Sequence, residues 1–302
     1  MNERRPADRP YVDRPVSDRE AAASVAARQA RAWSLPEPVL IRHGMNVLYR
    51  AGGVVIRVGH ATAPSTASHE LARRLLRHGV PTVSPIDGMA VDVDGFAVTG
   101  WEAISVEDRP VDWRMIGEIV RLVHSLGPEV VPTDYPIVDP TRLPWWNFDV
   151  LLDEAADHVD DRSLAGMRSA VDRYRGWQAA VRREPVLCHG DVHPGNVLMS
   201  SSGPLLVDWD LLAFADPAWD QAMLATLASR WGGDPMVHDA FVAGYGEPAA
   251  STELVGALGA LRNVAATLLR VRAAKIDLDA RPEAARRLAF WRGESTDAWS
   301  AQ

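Results

Sequence analysis

The apolar positions of this chain change their period about a third of the way along. Up to Thr99 they fall in short runs: Val39-Leu40-Ile41, Val47-Leu48-Tyr49, Val54-Val55-Ile56-Arg57-Val58, then Met89 to Val93 and Phe96 to Thr99. Such runs, broken by His43-Gly44-Met45-Asn46, Gly52-Gly53 and Asp94-Gly95, predict about five strands in a meander with tight turns. A helix around Ser68 to His78 interrupts them, with Leu71, Leu75 and Leu76 on one face and Gly79-Val80-Pro81 as its stop. Upstream, Ser17-Asp18-Arg19-Glu20 has the form of a capping box ahead of an Ala-rich helix ending near Trp33. Residues 1–16 carry Arg, Asp and Pro with few apolar anchors, which predicts a mobile tail.

After Gly100-Trp101 the spacing turns helical. Trp113, Ile116, Ile119, Val120 and Val123 mark a helix ended by Gly127-Pro128. Residues 130–144 are Pro-rich and irregular, and 147–181 read as largely helical. Val186 to His189, Val197 to Met199 and Leu205 to Val207 read as short strands, the last two separated by the turn Ser200-Ser201-Ser202-Gly203. Helices dominate thereafter, clearest over Pro217 to Ser229 and Glu253 to Val271, with 281–302 weaker and expected to fray. The organisation expected is a tail (1–16), a β-rich lobe (17–100) and a mainly helical lobe (101–302).

Composition narrows the classes. With 302 residues and 47% hydrophobic content the chain can bury a sizeable core. No run approaches an all-apolar spanning segment and no secretory signal opens the chain, so a cytoplasmic protein with no membrane partner is expected. Cys188 is the only cysteine, which excludes an internal disulfide and a cysteine-built zinc cage and suits a small buried side chain. A net charge of −8 argues against nucleic acid as partner and favours cationic small molecules. Lys275 is the only lysine.

The chemistry is concentrated in Cys188-His189-Gly190-Asp191-Val192-His193-Pro194-Gly195-Asn196 and Leu206-Val207-Asp208-Trp209-Asp210. Phosphoryl transfer to a hydroxyl needs a carboxylate to orient and deprotonate the acceptor, and separate oxygen ligands for magnesium. Asp191 follows a strand and precedes Pro194-Gly195, so it belongs on a loop. Asn196 lies five positions on, the Asp-to-Asn interval of a kinase catalytic loop. A hairpin across Ser200 to Gly203 would return Asp208 beside Asn196 as a two-oxygen magnesium seat.

These segments resemble the aminoglycoside phosphotransferase and choline kinase-like family, whose pattern is His-Gly-Asp-x-His-x-x-Asn followed by an apolar strand and Asp-Trp or Asp-Phe. The resemblance implies an α+β, protein-kinase-like two-lobed fold: a small antiparallel β lobe with one key helix and a larger, mainly helical lobe. It implies Asp191 as catalytic base, Asn196 and Asp208 as Mg2+ ligands, and ATP as phosphate donor. In the front lobe it implies nucleotide contacts at Arg57, in the strand position where such enzymes carry a lysine, and at Glu70 as its helix partner. Asn46 in the turn over the phosphates, and Thr99, Trp101, Glu102 and Ile104 in the stretch that holds adenine by backbone groups, complete that set. Asp216-Pro217-Ala218-Trp219-Asp220 resembles the segment that supports the loop and borders the acceptor.

The acceptor expected is a small hydroxyl compound, preferably aminoglycoside-like or otherwise amine-bearing. Its candidate contacts are Asp210, Asp216, Asp220, Trp219, Trp145 and Asp149, with Trp146 and Trp231 as further aromatic faces for a cation. Each tryptophan has an alternative reading as core, and the acids at Asp149, Asp153 and Glu154 one as a solvated helix face. Choline, ethanolamine, homoserine or a macrolide would use the same machinery. Two rival readings are a catalytically weak nucleotide-binding regulator, suggested by the absent front-lobe lysine, and a metal hydrolase using His189, Asp191 and His193.

Overall fold

The computed structural model describes residues 6–181, 184–247, 250–275 and 277–300. The front of the chain forms α1 (Arg19–Ala32), β1 (Val39–His43), β2 (Val47–Ala51), β3 (Val54–Gly59), α2 (Ser65–Arg77), β4 (Pro85–Val93) and β5 (Phe96–Glu102). Then come α3 (Trp113–His124), α4 (Phe148–Ala155), α5 (Asp161–Tyr174), β6 (Val186–Cys188), β7 (Val197–Ser200), β8 (Gly203–Leu206) and β9 (Ala213–Ala215). The remainder is α6 (Ala218–Trp231), α7 (Val237–Tyr245), α8 (Thr252–Ala273) and α9 (Arg281–Trp291). Grouping by contact cuts across the linear lobes expected at 17–100 and 101–302. One compact unit takes the chain to Asp112, then Leu122–Val138 and Pro194–Ala213; the other takes Trp113–Arg121, Asp139–His193 and the chain from Phe214.

The first unit is built on an antiparallel sheet of order β1-β2-β3-β5-β4, so the meander holds for three strands and β5 then inserts beside β3. Ala22, Val25, Ala26 and Ala30 of α1 close over Tyr49, Ile56, Val58 and Val98. Small side chains on that face let the helix sit close to the sheet. The cap of α1 is Asp18, whose carboxylate accepts the Ala21 N–H at 2.9 Å, and not Ser17 as the capping-box pattern suggests. A carboxylate one position later satisfies the same orphan donors. Likewise α2 starts at Ser65, ahead of the expected Ser68, because both oxygens of Asp92 accept the Ser65 N–H at 3.1 Å.

Residues 6–16 differ from the mobile tail expected of them. Tyr11, Val12 and Val16 are buried, and Tyr11 stacks on Tyr135 with centroids 5.1 Å apart. Three anchors suffice to tie down a stretch that composition marks as polar. The β7–β8 hairpin also belongs here: Leu206 N–H donates to Pro81 O (3.0 Å) and Glu107 N–H to Met199 O (2.7 Å). Its strands run to Ser200 and from Gly203, so the turn is shorter than expected, with the Ser200 hydroxyl donating to Gly203 O at 2.8 Å.

In the second unit Trp146, Met167, Trp219, Leu254, Leu258, Leu261 and Leu268 form the centre of one apolar cluster. β6 pairs with β9 in a two-stranded sheet that carries the chain to His189. By length and composition α8 could cross a membrane, which corrects the expectation that no run comes close. It is mostly buried, with Leu254, Leu258, Leu261 and Val264 nearly inaccessible, so its apolarity serves the core. At Gly259 a Cβ would lie 2.8 Å from Thr226 Cγ2 and 2.9 Å from Ala222 O, so only glycine permits α6 and α8 to approach this closely. Residues 281–300 do not fray as expected: Trp299 is buried, Ser300 N–H donates to Glu283 at 2.8 Å, and Glu283 holds Arg287 at 2.8 Å; residues 301–302 lie outside the described residues.

Candidate active site

Within the first unit, Arg57 is the hub. It leaves β3 opposite Thr99 of β5, and its guanidinium is bonded to the Asp210 carboxylate and 3.9 Å from Asp208. Burial alone would lower its pKa, but Asp210 and Asp208 outweigh burial and raise it. The Asn46 amide lies against the same pair. Its nitrogen is 3.5 Å from Asp210, and with the amide turned over its oxygen would accept from Arg57 Nη2 at 2.7 Å and Nε at 3.2 Å. The turned orientation matches donors to acceptors, and Asn46 then steadies the guanidinium.

Asn196 and Asp208 stand at the base of the β7–β8 hairpin, where Val207 N–H donates to Asn196 O at 3.0 Å. Asn196 is buried, while the Asp208 side chain is half-exposed. Asp208 has φ 67, a left-handed conformation uncommon for residues other than glycine and often found at functional sites. The turn is pinned on each side: Trp209 Nε1 donates to Thr82 (3.0 Å), Tyr135 hydroxyl to Trp209 O (2.8 Å), and Tyr11 N–H to Asp210 O (3.4 Å). Burial pushes the Asp210 carboxyl up to about 7, with Arg57 opposing and Asp208 adding to the rise. Asp208 and Asp210 thus crowd one guanidinium, and carboxylate oxygens are hard donors of the kind that suits magnesium.

In the second unit the catalytic-loop candidate is gripped at Gly190. The two oxygens of buried Asp220 accept His189 N–H and Gly190 N–H, each at 2.8 Å, and Arg262 Nη2 of α8 donates to Gly190 O at 2.8 Å. Gly190 has φ 92, outside the range of L side chains, which lets the loop turn between these two clamps. Asp191 follows with its N–H donating to His189 Nδ1 (3.2 Å) and its carboxylate 3.4 Å from His193 Nε2 and 3.7 Å from Arg262 Nη1. Burial works to raise the Asp191 pKa, but His193 and Arg262 together with His189 hold it below the usual carboxylate value. The base candidate is therefore ionised. His189 gives one ring nitrogen to a backbone N–H, which removes it from the zinc trio of the hydrolase reading.

A model of the "Phosphotransferase enzyme family" matches residues 50–256. The chain belongs to this family. No curated protein matches it. Solved phosphotransferase structures share its architecture. Spectinomycin phosphotransferase APH(9)-Ia, in complex with ADP and spectinomycin, has a TM-score of 0.68 at 16% identity, covering 90% of this chain and 99% of that one. A choline/ethanolamine kinase family protein from Mesorhizobium loti has 0.63 at 21% identity, covering 91% and 93%. APH(2")-IIia, as a GDP and kanamycin complex, has 0.64 at 19% identity, covering 90% and 98%. The fold is thus the kinase-like one of these enzymes, an antiparallel β lobe with a helical lobe.

Several site expectations need correction against this geometry. Glu70 does not pair with Arg57; it holds Arg74 (2.7 Å) and Arg77 (3.5 Å) of its own helix. Asp210 takes that place, meeting Arg57 within the first unit. Thr99 is buried and receives Trp101 Nε1 at 2.8 Å. Glu102 and Ala103 spend their N–H groups on Ser84 and Gly53, both at 2.9 Å, whereas Ile104 N–H has no such partner among the described residues. Asp220 is a buried loop clamp, and Asp216 caps the start of α6 through Ala218 N–H (2.9 Å). Trp219 is core, edge-on to Trp146 at 4.8 Å with Arg262 over its ring, and Trp231 is covered by Arg287. Asp149 is solvent-exposed and paired with Arg175 at 3.0 Å, and Trp145 is half-buried. Arg262 was missed altogether: inside an apolar helical run it carries no motif, and its position 71 residues after Asp191 gives no local signal.

Proposed function

We propose that this phosphotransferase uses ATP and magnesium to transfer the γ-phosphate to a hydroxyl of a small, amine-bearing acceptor. The observation that carries the reading is the β7–β8 hairpin, which returns Asp208 to the level of Asn196 in the unit that also holds Arg57 and Asn46. Asn196 and Asp208 would hold the metal, which when bound supplies charge neutralisation on the phosphates. Arg57, fixed by Asp210 and Asn46, adds a cation for the nucleotide, and Ile104 N–H is a donor suited to a purine ring. Asp191, kept ionised, orients the acceptor hydroxyl and takes its proton. The amine preference is supported by the charge of −8 and by the spectinomycin and kanamycin bound in the two similar enzymes.

An ADP-release screen over aminoglycosides, choline, amino alcohols, macrolides and sugars tests this, with Asp191→Asn as control. We expect one acceptor class to stimulate release, and the variant to lose about 10²–10⁴-fold in turnover while keeping its affinity for nucleotide. Full turnover by Asp191→Asn would remove it as the base. Tight ATP binding with no acceptor-dependent release would instead favour the regulatory reading, which the engagement of Arg57 by Asp210 supports.

A further inference from the structure

Among the described residues, Arg262 is the guanidinium whose contacts meet both the backbone and the side chain of the loop bearing Asp191. One arm, Nη2, donates to Gly190 O at 2.8 Å; the other, Nη1, faces Asp191 Oδ1 at 3.7 Å. The plane lies over the Trp219 ring at 4.8 Å, and only 15% of the side chain is exposed. Burial lowers its pKa, with Asp191, Asp220 and Cys188 opposing, so the group is retained as a cation at some cost. A buried ionic group that served packing alone would be replaced by an apolar one of similar size at little loss. Here the planar fork presents one nitrogen to the Gly190 carbonyl and the other to the Asp191 carboxylate, a fixed spacing of donors that a point-like ammonium on a flexible stem lacks. The close α6–α8 approach at Gly259 sets its height, because Arg262 follows on the next turn of α8 and Trp219 stands on α6.

We propose that Arg262 is a positioning residue for phosphoryl transfer: it aims the Asp191 carboxylate by holding the Gly190 carbonyl with one arm and facing Asp191 Oδ1 with the other. The inference rests on the phosphotransferase reading, since it gives Arg262 a task only if Asp191 is the base. The groups facing Asp191 include His193, His189 and Arg262, and Arg262 also faces Asp220 and Cys188.

The test combines carboxylate 13C NMR of Asp191, assigned by its loss in Asp191→Asn, with calorimetry of ADP and magnesium binding. In Arg262→Gln the Asp191 midpoint should rise measurably above that of the wild type, and ADP affinity should stay unchanged. Arg262→Lys should show a smaller rise in the same direction, and once an acceptor is found its kcat should fall with KM for ATP unchanged. If Arg262→Gln does not fold, Arg262→Lys decides. An Asp191 midpoint equal to wild type in the folded variant, or an unchanged kcat, overturns the proposal. A wild-type protein that binds no ADP and releases none fails the phosphotransferase reading itself, and the inference with it, whatever the NMR shows.

Discussion

A guanidinium on β3 changes what its surroundings must supply. The rigid, multi-donor fork of Arg57 engages Asp210 and Asn46 together, while Glu70 pairs within its own helix. Asp210 was visible as an acid beside Asp208, but its pairing with Arg57 spans 153 positions and nothing local marks it. By contrast the placement of Asp191 on a loop, and of Asn196 and Asp208 at the base of one hairpin, was legible because it depends on local spacing. His69 offers a residue-scale prediction. It is 2% exposed and edge-on to Trp101, and burial holds its imidazole at about 4, with Arg73 adding and Asp87 opposing. The unfolded chain takes up a proton near 6.5 that the folded one refuses. This contribution is complete above pH 6.5 and is lost as the pH falls toward 4, by about 3 kcal/mol at most. Urea midpoints of wild type and His69→Phe between pH 4 and 7 should diverge at the acid end; parallel profiles would assign the acid sensitivity elsewhere.

Elements were readable where a period of two or 3.6 persisted, and less so at their ends. Strand positions in the front sheet follow from apolar runs, but α2 begins where Asp92, 27 residues away, supplies the cap. Helix α5 shows how much one cap holds. Asp160 accepts Ser163 N–H at 2.9 Å and Ser163 hydroxyl at 2.7 Å, and it also meets Arg292 at 2.9 Å. The Ser163 hydroxyl, with the backbone bond and Arg292, keeps this carboxyl at about 2. Its share of stability is therefore present above its ordinary 3.8 and lost as the pH falls through 2. Asp160→Ala should cost about 1 kcal/mol at neutral pH. The Arg292 contact should add little, since both side chains are partly solvated. Thermal unfolding of that variant, and of Arg292→Ala, checks the division. An Arg292→Ala loss as large as that of Asp160→Ala would show that the ion pair and not the cap holds the helix.

At the scale of the molecule, each compact unit is assembled from three stretches of chain. A fragment ending at Asp112 therefore lacks the partners of Pro81 O, Thr82 and Tyr11 N–H, which Leu206, Trp209 and Asp210 provide. Expressed alone it should show no cooperative urea transition, whereas a fragment supplemented with residues 122–138 and 194–213 should regain one; a sharp transition in the short piece would show the front sheet to be self-sufficient. The same interleaving limits recombination. Chimeras that exchange a front lobe between two enzymes at a single junction would pair one parent's arginine with the other parent's aspartate. An exchange that keeps them matched has to carry the distant hairpin along as a second insert.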